Sequence, residues 1–430
     1  MDKNKAVCLL NDSFPPTIDG VGNTVVNYAR SMTKNGQRAI VATPKYPNVN
    51  DSSFEFPVIR YPSINTTRIF GYRMGYPFNS KAIKRIKEQN VELVHTHCPV
   101  ISTMLARSLR EETGVPVIMT YHTKFDIEIN KAIEWNFMRK TALKMLVANI
   151  EACDEVWVVS RGAGENLKKL GYNGDVVLME NGVDLSKGRA SDEKIEEIRE
   201  KHSIPNDIPV FLFVGRMMWY KGIKIILDGL RALANNGRDF RMIFVGDGTE
   251  RKEIEKYSDA LRLKKNCIFA GAVTSRETLR AYYSLADMFL FPSSFDTNGI
   301  VVREAAACGL PSVLLKDSCA SEGIEDGNTG ILIDENAESM YSALIAALDG
   351  KYNVKTIGQN AMDEIYISWD SAVKKATERY EIVLEKAKSG QLIRREAPSD
   401  EFFQFICEVN TATERVRDAT TKIRRRIEKM

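Results

Sequence analysis

The sequence predicts an α/β protein with two doubly wound domains, each built on a parallel β-sheet. Short apolar segments rich in β-branched residues alternate with amphipathic segments, a pattern typical of βαβ units. These segments fall into two blocks, separated by a charged stretch at 186–209. The length of 430 residues also fits two or three domains of ordinary size. The predicted strands lie in KAVCLL, AIVAT, LVHTH, PVIMTYH and EVWVVS of the first block, and in VFLFVG, FRMIFVG, CIFAG, MFLFP and PSVLL of the second.

The two blocks and the segments that follow them predict four parts in chain order. Residues 1–190 form the first domain and residues 191–366 the second. An amphipathic helix at 367–388 is expected to pack toward the first domain, and a helical basic tail occupies 389–430. Because ligands of open parallel sheets bind at the carboxyl ends of the strands, two such domains predict a central cleft between those edges.

Apolar residues in the tail recur at alternating steps of four and three residues, which predicts a heptad-like seam. Threonine fills two positions of this seam, so an isolated coiled coil would be marginal. The tail is therefore expected to dock on its own chain or to mediate self-association, and a basic interfacial helix is the third possibility. The apolar seam residues are Phe402, Ile406, Val409, Val416, Ile423, Ile427 and Met430.

Composition and charge are those of an ordinary globular protein, with 44% hydrophobic and 27% charged residues. Seven cysteines lie far apart without a CxxC pair, which indicates reduced thiols. No apolar run reaches the roughly 18 residues of a membrane span, and the N-terminus lacks a signal-peptide pattern. These features predict a cytoplasmic protein, and we expect no nucleic-acid partner.

The formal net charge is +3, but the two blocks differ in sign. Residues 1–190 carry 25 Lys and Arg against 19 Asp and Glu, whereas residues 191–387 carry 25 against 31. The basic excess of the first block either favours an anionic surface or partner or is ordinary variation.

The first candidate site is a glycine turn after the first predicted strand, in SFPPTIDGVGNTVVNYAR. Gly20 and Gly22 allow the backbone to approach a ligand closely. A helix predicted to begin near Asn23 would point its N–H groups at that ligand. A plain turn between a strand and a helix can have the same residues. This motif alone therefore does not distinguish a ligand site from an ordinary turn.

A pair of cations follows the first strand of the second block, in VGRMMWYKG. Arg216 and Lys221 lie five residues apart around a strand end and a helix start. A guanidinium fork and an ammonium point charge can together clamp a diphosphate. The alternative is a solvated pair on the surface.

Two carboxylates lie eight residues apart in PSSFDTNGIVVREAAACGLP. Asp296 belongs to a predicted loop and Glu304 to the first turn of the helix that follows. A carboxylate accepts hydrogen bonds well from the neighbouring hydroxyls of a ribose or a hexose. The alternative for Glu304 is a carboxylate that only stabilises the helix dipole.

Taken together and in order, these motifs resemble the retaining GT-B glycosyltransferases of family 4. The likeness extends from about residue 5 to residue 388. It implies a GT-B fold and the transfer of a hexose from a nucleoside diphosphate sugar, expected to be a UDP-sugar, with retention of configuration. The matching segments are PPTIDGVGN, TYHTKFD, EACDEVWVVS and ENGVD in the first block, and FVGR, KG, VGDG, ADMFLFPSSFD and EAAACGLP in the second.

The resemblance also implies a role for each matching residue. Gly20 would lie against the diphosphate, and Arg216 and Lys221 would neutralise it as it leaves. Glu304 would bind the ribose hydroxyls. His122, which follows a predicted strand in TYHT, would face the reacting sugar.

The donor sugar would be bound mainly by the loop that precedes the segment EAAACGLP. Asp296 would accept from a sugar hydroxyl, the backbone amides of Asn298, Gly299 and Ile300 would lie near the sugar and phosphate, and Val273 would lie near the base. The family usually has Glu in place of Asp296 and often Phe in place of Asn298, so the identity of the sugar stays open. The residues expected to act in catalysis are His122, Arg216, Lys221 and Asp296.

No metal ion or other cofactor is expected. Arg216, Lys221 and helix N-termini can supply the positive charge that a departing diphosphate requires, and no Asp-x-Asp motif lies near the candidate site. The competing functions are a nucleotide-sugar epimerase and a non-catalytic sugar-nucleotide-binding protein. The presence of both cations together with His122 and Glu304 favours a transferase over a silent binding protein.

His95 and His97 lie two apart at a predicted strand end and therefore face the same side. They form either a metal pair or a structural hydrogen-bonded group, and the second interpretation is favoured.

Two segments, 66–78 and 131–150, mix aromatic with basic residues. Such surfaces suit an interfacial lipid site, although a domain core with a solvated face would give the same composition. The expected acceptor is a membrane glycolipid or diacylglycerol, which implies peripheral association with the inner face of the cell membrane. The alternative is a transferase that acts on a small soluble molecule or a polysaccharide.

Overall fold

The computed structural model describes residues 4–17, 19–67, 72–125, 129 and 135–392. The chain divides into two compact units. The first unit comprises 1–159, 163–180 and 373–430, and the second comprises 160–162 and 181–372. The chain therefore enters the second unit after Glu180 rather than after residue 190, and it returns to the first unit at Val373.

The first unit contains a seven-stranded sheet in which every pair of neighbouring strands is parallel. A short antiparallel pair lies outside this sheet. The strands are β1 (Ala6–Leu10), β2 (Arg38–Pro44), β3 (Val58–Tyr61), β4 (Ser63–Ile64), β5 (Met74–Gly75), β6 (Val91–Thr96), β7 (Val117–Tyr121), β8 (Glu155–Val158) and β9 (Val177–Leu178). The helices are α1 (Gly20–Lys34), α2 (Ser80–Lys87), α3 (Ile101–Thr113), α4 (Asn136–Glu151) and α5 (Arg161–Lys169).

The second unit contains a six-stranded sheet, again with parallel neighbours throughout. Its strands are β10 (Val210–Val214), β11 (Arg241–Val245), β12 (Cys267–Gly271), β13 (Met288–Phe291), β14 (Ser312–Leu315) and β15 (Ile331–Ile333). Its helices are α6 (Asp192–Lys201), α7 (Ile223–Asn235), α8 (Arg251–Ala260), α9 (Arg276–Leu285), α10 (Ile300–Ala307), α11 (Ala337–Leu348) and α12 (Val354–Glu364). The last described helix is α13 (Trp369–Lys388).

The central strands are buried and consist mainly of apolar residues. All five residues of β1, β7 and β10 are buried, as expected for parallel strands covered on both faces by helices. The core of each unit therefore lies on both faces of its sheet.

Both sheets reverse their strand order at one internal position. The first sheet runs β3-β2-β1-β6-β7-β8-β9, and the second runs β12-β11-β10-β13-β14-β15. The loops after β1 and β6 diverge at one reversal, and the loops after β10 and β13 diverge at the other. In open α/β sheets, ligands bind at such reversals, at the carboxyl ends of the strands.

The predicted fold class is confirmed, with two doubly wound units and parallel sheets. Each of the ten predicted strand segments contains a strand, and the helix predicted at 367–388 spans Trp369–Lys388. Five short strands were not predicted from the sequence: β3, β4, β5, β9 and β15. The six cysteines in the described part of the chain are free thiols. The tail seam and Cys407 lie outside the described residues.

Candidate active site

The two loops that flank the reversal of the second sheet meet through an ion pair. Lys221 ends a 3-10 turn after β10, and its Nζ lies 2.7 and 2.8 Å from the two carboxylate oxygens of Asp296, in the loop after β13. The side chain of Lys221 is 11% exposed and that of Asp296 is 20% exposed. Two of the predicted site residues, which are 75 positions apart in the sequence, therefore form one buried pair.

The residue after Lys221 explains how these loops approach so closely. Gly222 has a φ of +77°, and a Cβ at this position would lie 1.9 Å from the backbone oxygen of Pro292. Only glycine fits such a contact. The rings of Tyr220 and Phe291 lie 5.6 and 5.5 Å from the Lys221 ammonium, so aromatic faces and a carboxylate together hold the charge in place.

Arg216 lies at the end of β10 in a different environment. Its side chain is exposed. The site therefore combines one cation held in place by a carboxylate with one exposed guanidinium that can reorient toward a ligand.

The loop after β13 leads into α10 through a backbone turn that leaves the helix start open. Gly299 is the N-cap residue, with a φ of +55°, and no side chain caps the first N–H groups. Uncapped N–H groups at a helix start attract anions. Next to it, Asn298 is only 8% exposed, and neither Oδ1 nor Nδ2 of its side chain has a hydrogen-bond partner among the described residues. This buried amide is suited to a polar ligand.

Glu304 of α10 is 5% exposed and is held by two residues that the sequence analysis missed. Arg276 Nη1 donates to Oε1 at 2.9 Å, and Tyr283 Oη donates to Oε2 at 3.0 Å. Arg276 also donates to Asp184 at 2.7 Å. Burial raises the pKa of the Glu304 carboxyl, although Arg276 and Tyr283 oppose that shift. The only signal in the sequence is that Arg276 and Tyr283 lie two turns apart on one face of α9.

Val273, the residue expected near the base, follows β12 and packs partly buried against the apolar core of the second unit. Its contact with a nucleotide base stays a prediction.

The glycine turn of the first unit differs from the sequence prediction in one respect. Helix α1 begins at Gly20 and not near Asn23, because the Asp19 carboxylate caps it by accepting from Val21 N and Gly22 N at 2.7 and 3.0 Å. Those two N–H groups are therefore occupied and do not await a ligand. Gly20 itself is exposed, and a Cβ there would meet no atom within 4 Å. Its contact with a diphosphate stays a prediction.

His122 follows β7 and belongs to a cluster of three histidines in the first unit. His97 Nδ1 lies 2.9 Å from His122 Nε2. His95 Nδ1 lies 2.6 Å from Tyr380 Oη, and its Nε2 lies 2.7 Å from Thr120 Oγ1. Structural hydrogen bonding, the favoured interpretation for His95 and His97, is confirmed. Within the described ranges, no group of three or more His, Cys, Asp and Glu side chains is arranged to hold a metal ion.

All three rings of the histidine cluster are neutral at pH 7. Burial lowers the pKa of His95 and of His97 well below the usual value, and it lowers the pKa of His122 to about 3. A neutral imidazole has one N–H donor and one acceptor nitrogen. His122, which is 7% exposed, can therefore bind a polar group but carries no charge.

Comparison with known proteins agrees with this fold. The family described as Glyco_transf_4, Glycosyltransferase Family 4, matches residues 18–187, and the family described as Glycosyl transferases group 1 matches residues 194–363. Alpha-monoglucosyldiacylglycerol synthase of Acholeplasma laidlawii is 24% identical over 82% of this chain and 90% of its own length.

Two solved structures share the fold. Sucrose-phosphate synthase from Thermosynechococcus elongatus superposes with a TM-score of 0.72 at 22% identity, over 89% of this chain and 99% of that one. Anabaena HepE, solved in complex with UDP, superposes with a TM-score of 0.69 at 19% identity, over 88% and 99%. The fold and the family matches define the chain as a glycosyltransferase of the GT-B class. Within that class it resembles the enzymes described as Glycosyltransferase Family 4, whose model matches its first half.

The histidine cluster predicts a specific dependence of stability on pH. In the unfolded chain each histidine titrates near pH 6.5, whereas the folded pKa values are lower, so the unfolded state binds protons first as the pH falls. The stability that each neutral histidine contributes is complete above about pH 6.5. It is lost below that pH by up to about 1.4 kcal/mol per pH unit for each ring.

Urea unfolding of the wild type and of His122→Gln between pH 7.5 and 5.5 measures this loss. We expect the difference in unfolding free energy between the two proteins to shrink below pH 6.5, because the variant lacks one such ring. A difference that stays constant over the whole range would contradict the neutral, buried state of His122.

Proposed function

We propose that this enzyme transfers a hexose from a UDP-sugar, with retention of configuration, to a diacylglycerol or glycolipid acceptor at the inner face of the cell membrane. The observation that carries the proposal is the buried Lys221–Asp296 pair, with the exposed Arg216 on the same loop as Lys221 at the reversal of the second sheet. The donor side of the proposal rests on this site, and the acceptor side rests on the surface of α4.

The charges of the site suit a departing diphosphate. Transfer from a nucleotide sugar develops negative charge on the phosphate and positive charge on the sugar, so fixed cations near the phosphate lower the barrier. Lys221 has three N–H donors, and Asp296 takes two of them. The third has no hydrogen-bond partner among the described residues and can donate to a phosphate oxygen, and the Arg216 guanidinium can add a forked contact. The uncapped start of α10 adds backbone N–H groups.

The carboxylates and the buried amide suit the hydroxyls of the donor. Each carboxylate has about four lone-pair positions, so Asp296 can accept from a sugar hydroxyl while it holds Lys221. Glu304 can likewise accept from a ribose hydroxyl while Arg276 and Tyr283 hold it. Asn298, whose amide has no partner among the described residues, would complete the sugar contacts with its side chain.

The UDP-sugar and the retention of configuration are the finer parts of the donor proposal. HepE, which shares the fold, was solved with UDP, and the motif pattern resembles retaining enzymes. In that mechanism the acceptor approaches from the face that the diphosphate leaves, and a phosphate oxygen helps to take the proton. His122 would donate a hydrogen bond to a hydroxyl of the transferred sugar.

The acceptor proposal draws on the similar glucosyldiacylglycerol synthase and on the exposed apolar side chains around α4. Trp135, Phe137 and Met145 are 72%, 81% and 65% exposed. Large apolar side chains this exposed are typical of interaction surfaces when they cluster. These three residues do not belong to the domain core, whereas Leu146, Val147 and Ile150 of the same helix do.

Basic residues accompany the same surface. Phe137 and Met145 lie eight positions apart and so share one helix face, while Lys140 and Lys144 are exposed beside it. Apolar and basic side chains in this arrangement suit a membrane surface with anionic lipids. In the described part of the chain, no helix is long and apolar enough to cross a membrane.

A matrix assay tests the proposal as a whole. UDP-, GDP- and ADP-hexoses are each combined with diacylglycerol vesicles, a glycolipid, a small sugar and no acceptor, and the products are read by mass spectrometry. We expect a glycolipid product from a UDP-hexose. Product formed only with a soluble acceptor would contradict the lipid proposal, and conversion of donor without acceptor would indicate an epimerase.

The first prediction concerns the two cations. Arg216→Ala should lower kcat by about 10²-fold, the scale of losing one electrostatic stabiliser, without a change in Tm because the side chain is exposed. Lys221→Ala should lose at least as much, because it also leaves Asp296 without its partner. Steady-state kinetics and thermal unfolding measure both effects.

Arg238→Ala is the matched control, since Arg238 pairs with Asp349 on the surface of the same unit with side chains 46% and 39% exposed. Its activity should stay within about twofold of the wild type, because exposed ion pairs contribute little. Near-normal turnover in both Arg216→Ala and Lys221→Ala would refute the diphosphate clamp.

The second prediction concerns metal ions. Because Arg216 and Lys221 supply the positive charge, full activity is expected in EDTA, and Mg²⁺ or Mn²⁺ should not stimulate it. The assay compares initial rates of the dialysed enzyme with EDTA and with each metal. Activity lost in EDTA and restored by Mn²⁺ would show that metal-independent catalysis is wrong.

The third prediction concerns the surface of α4. Replacing Trp135, Phe137 and Met138 together by serine should weaken binding to diacylglycerol-containing vesicles by at least about 10-fold, because apolar contact contributes to interfacial binding. Sedimentation with vesicles measures the change. Ile382→Ser, at an apolar residue of α13 that is 41% exposed, serves as the control and should bind normally.

The lysines separate charge from apolar contact. Lys140→Gln with Lys144→Gln should weaken binding to anionic vesicles, at about 1 kcal/mol for each lysine, and leave binding to neutral vesicles unchanged. If the triple-serine variant and the double-glutamine variant both bind as the wild type does, α4 is not the membrane surface.

A further inference from the structure

His97 has no role in the function proposed above, yet it contacts the histidine that does. Its Nδ1 lies 2.9 Å from Nε2 of His122. The two rings stack with their centroids 5.2 Å apart and an interplanar angle of 21°. His97 is 1% exposed and directly follows β6. Because of this contact, the proton positions of the two rings depend on each other.

A hydrogen bond between two neutral imidazoles has two possible arrangements. In the first, Nδ1–H of His97 donates to Nε2 of His122. In the second, Nε2–H of His122 donates to Nδ1 of His97, and the proton of His97 then lies on its own Nε2. That nitrogen is buried without a hydrogen-bond partner among the described residues. A buried N–H without an acceptor is rarer than an unpaired acceptor, so the first arrangement is favoured.

The first arrangement determines what His122 offers to a ligand. With Nε2 as the acceptor, the ring proton of His122 must lie on Nδ1. Burial keeps the pKa of His122 at about 3 and that of His97 well below its usual value, so neither ring gains a second proton at neutral pH. His122 therefore presents a neutral N–H donor, which suits a hydroxyl oxygen of a sugar.

The surroundings of His97 prevent it from turning away. Its backbone N–H donates to the oxygen of Leu10 at 2.8 Å. The ring of His95 lies behind it with centroids 4.0 Å apart, and the ring of Tyr28 contacts it edge-on at 5.4 Å. His95 is itself held through both ring nitrogens, by Tyr380 and by Thr120. These contacts fix the ring that in turn orients His122.

We propose that His97 is a positioning residue for the transfer reaction, which holds His122 in the Nδ1–H form so that His122 donates a hydrogen bond to an oxygen of the transferred sugar. The link to the reaction rests on the proposed function. The protonation state of His122 does not, and it can be measured without substrate.

Nuclear magnetic resonance of the full chain labelled with ¹⁵N-histidine tests the protonation state. The chain has four histidines, and single His→Gln variants assign their ring signals. Two-bond ¹⁵N–¹H correlations should show Nδ1 of His122 protonated and Nε2 unprotonated. In His97→Leu this preference should be lost. A wild-type His122 protonated on Nε2, or a His122 signal unaffected by His97→Leu, would overturn the proposal.

Activity separates positioning from packing. His97→Leu removes the donor and should lower kcat by about 10-fold or more, since misplacing a group at the reaction centre can cost on the order of 10²-fold, with little change in the KM for the sugar nucleotide. His97→Asn keeps an N–H near the position of Nδ1 and should restore kcat to within about threefold. His202→Leu, at a histidine outside the cluster, should leave kcat unchanged.

The outcomes distinguish this proposal from the function on which it rests. If His97→Asn and His97→Leu lose kcat equally, His97 contributes only packing. That result would refute the proposal that it positions His122. A normal rate in His122→Ala, together with the Nδ1–H form of His122 in the wild type, would remove the role of His122 in transfer and leave the control of its protonation by His97 intact.

Discussion

The candidate donor site depends on the burial of an ammonium next to a carboxylate. Taking a lysine out of water is strongly unfavourable unless an opposite charge and good geometry compensate for it, and Asp296 supplies both at 2.7 and 2.8 Å. The pair joins the loop after β10 to the loop after β13. Arg216, on the loop after β10, is exposed. The site therefore has one cation, Lys221, that an ion pair holds in place and one, Arg216, that can change its position.

The helices that begin near the two sheet reversals differ in whether a side chain caps their first N–H groups. The Asp19 carboxylate caps α1 and accepts hydrogen bonds from the N–H groups of Val21 and Gly22. These two groups are therefore not available to an anion. The starts of α7 and α10 follow the left-handed glycines Gly222 and Gly299, and no side chain caps either of them. The second unit therefore keeps unsatisfied N–H groups where its cations lie, as an anion-binding surface requires.

Much of the fold was predictable because the central strands are continuous apolar runs. β3 was missed because Arg60 interrupts its short run, although the structure satisfies that guanidinium through Asp51. At the site, the sequence indicated the types of group but not their partners. The sequence assigned Lys221 to a phosphate and Asp296 to a sugar hydroxyl. The residues around each of them did not indicate that the two, 75 positions apart in the chain, would form an ion pair.

Side chains that act through another residue were the hardest to predict. Arg276 and Tyr283 are ordinary residues of an amphipathic helix until the buried Glu304 is placed beside them. His97 was recognised as a structural histidine, but its contact with His122 depends on the register of β6 against β7. Pairwise geometry of this kind is a property of the assembled sheet.

The return of the chain to the first unit has a consequence for synthesis on the ribosome. Tyr380 of α13 occupies one nitrogen of His95, and Arg379 holds Glu155 of β8 at 2.6 Å. These partners are translated only after the entire second unit. Domains generally fold in order from the N-terminal end during synthesis. The first unit, however, cannot form all the contacts of its histidine cluster until α13 has also been synthesised.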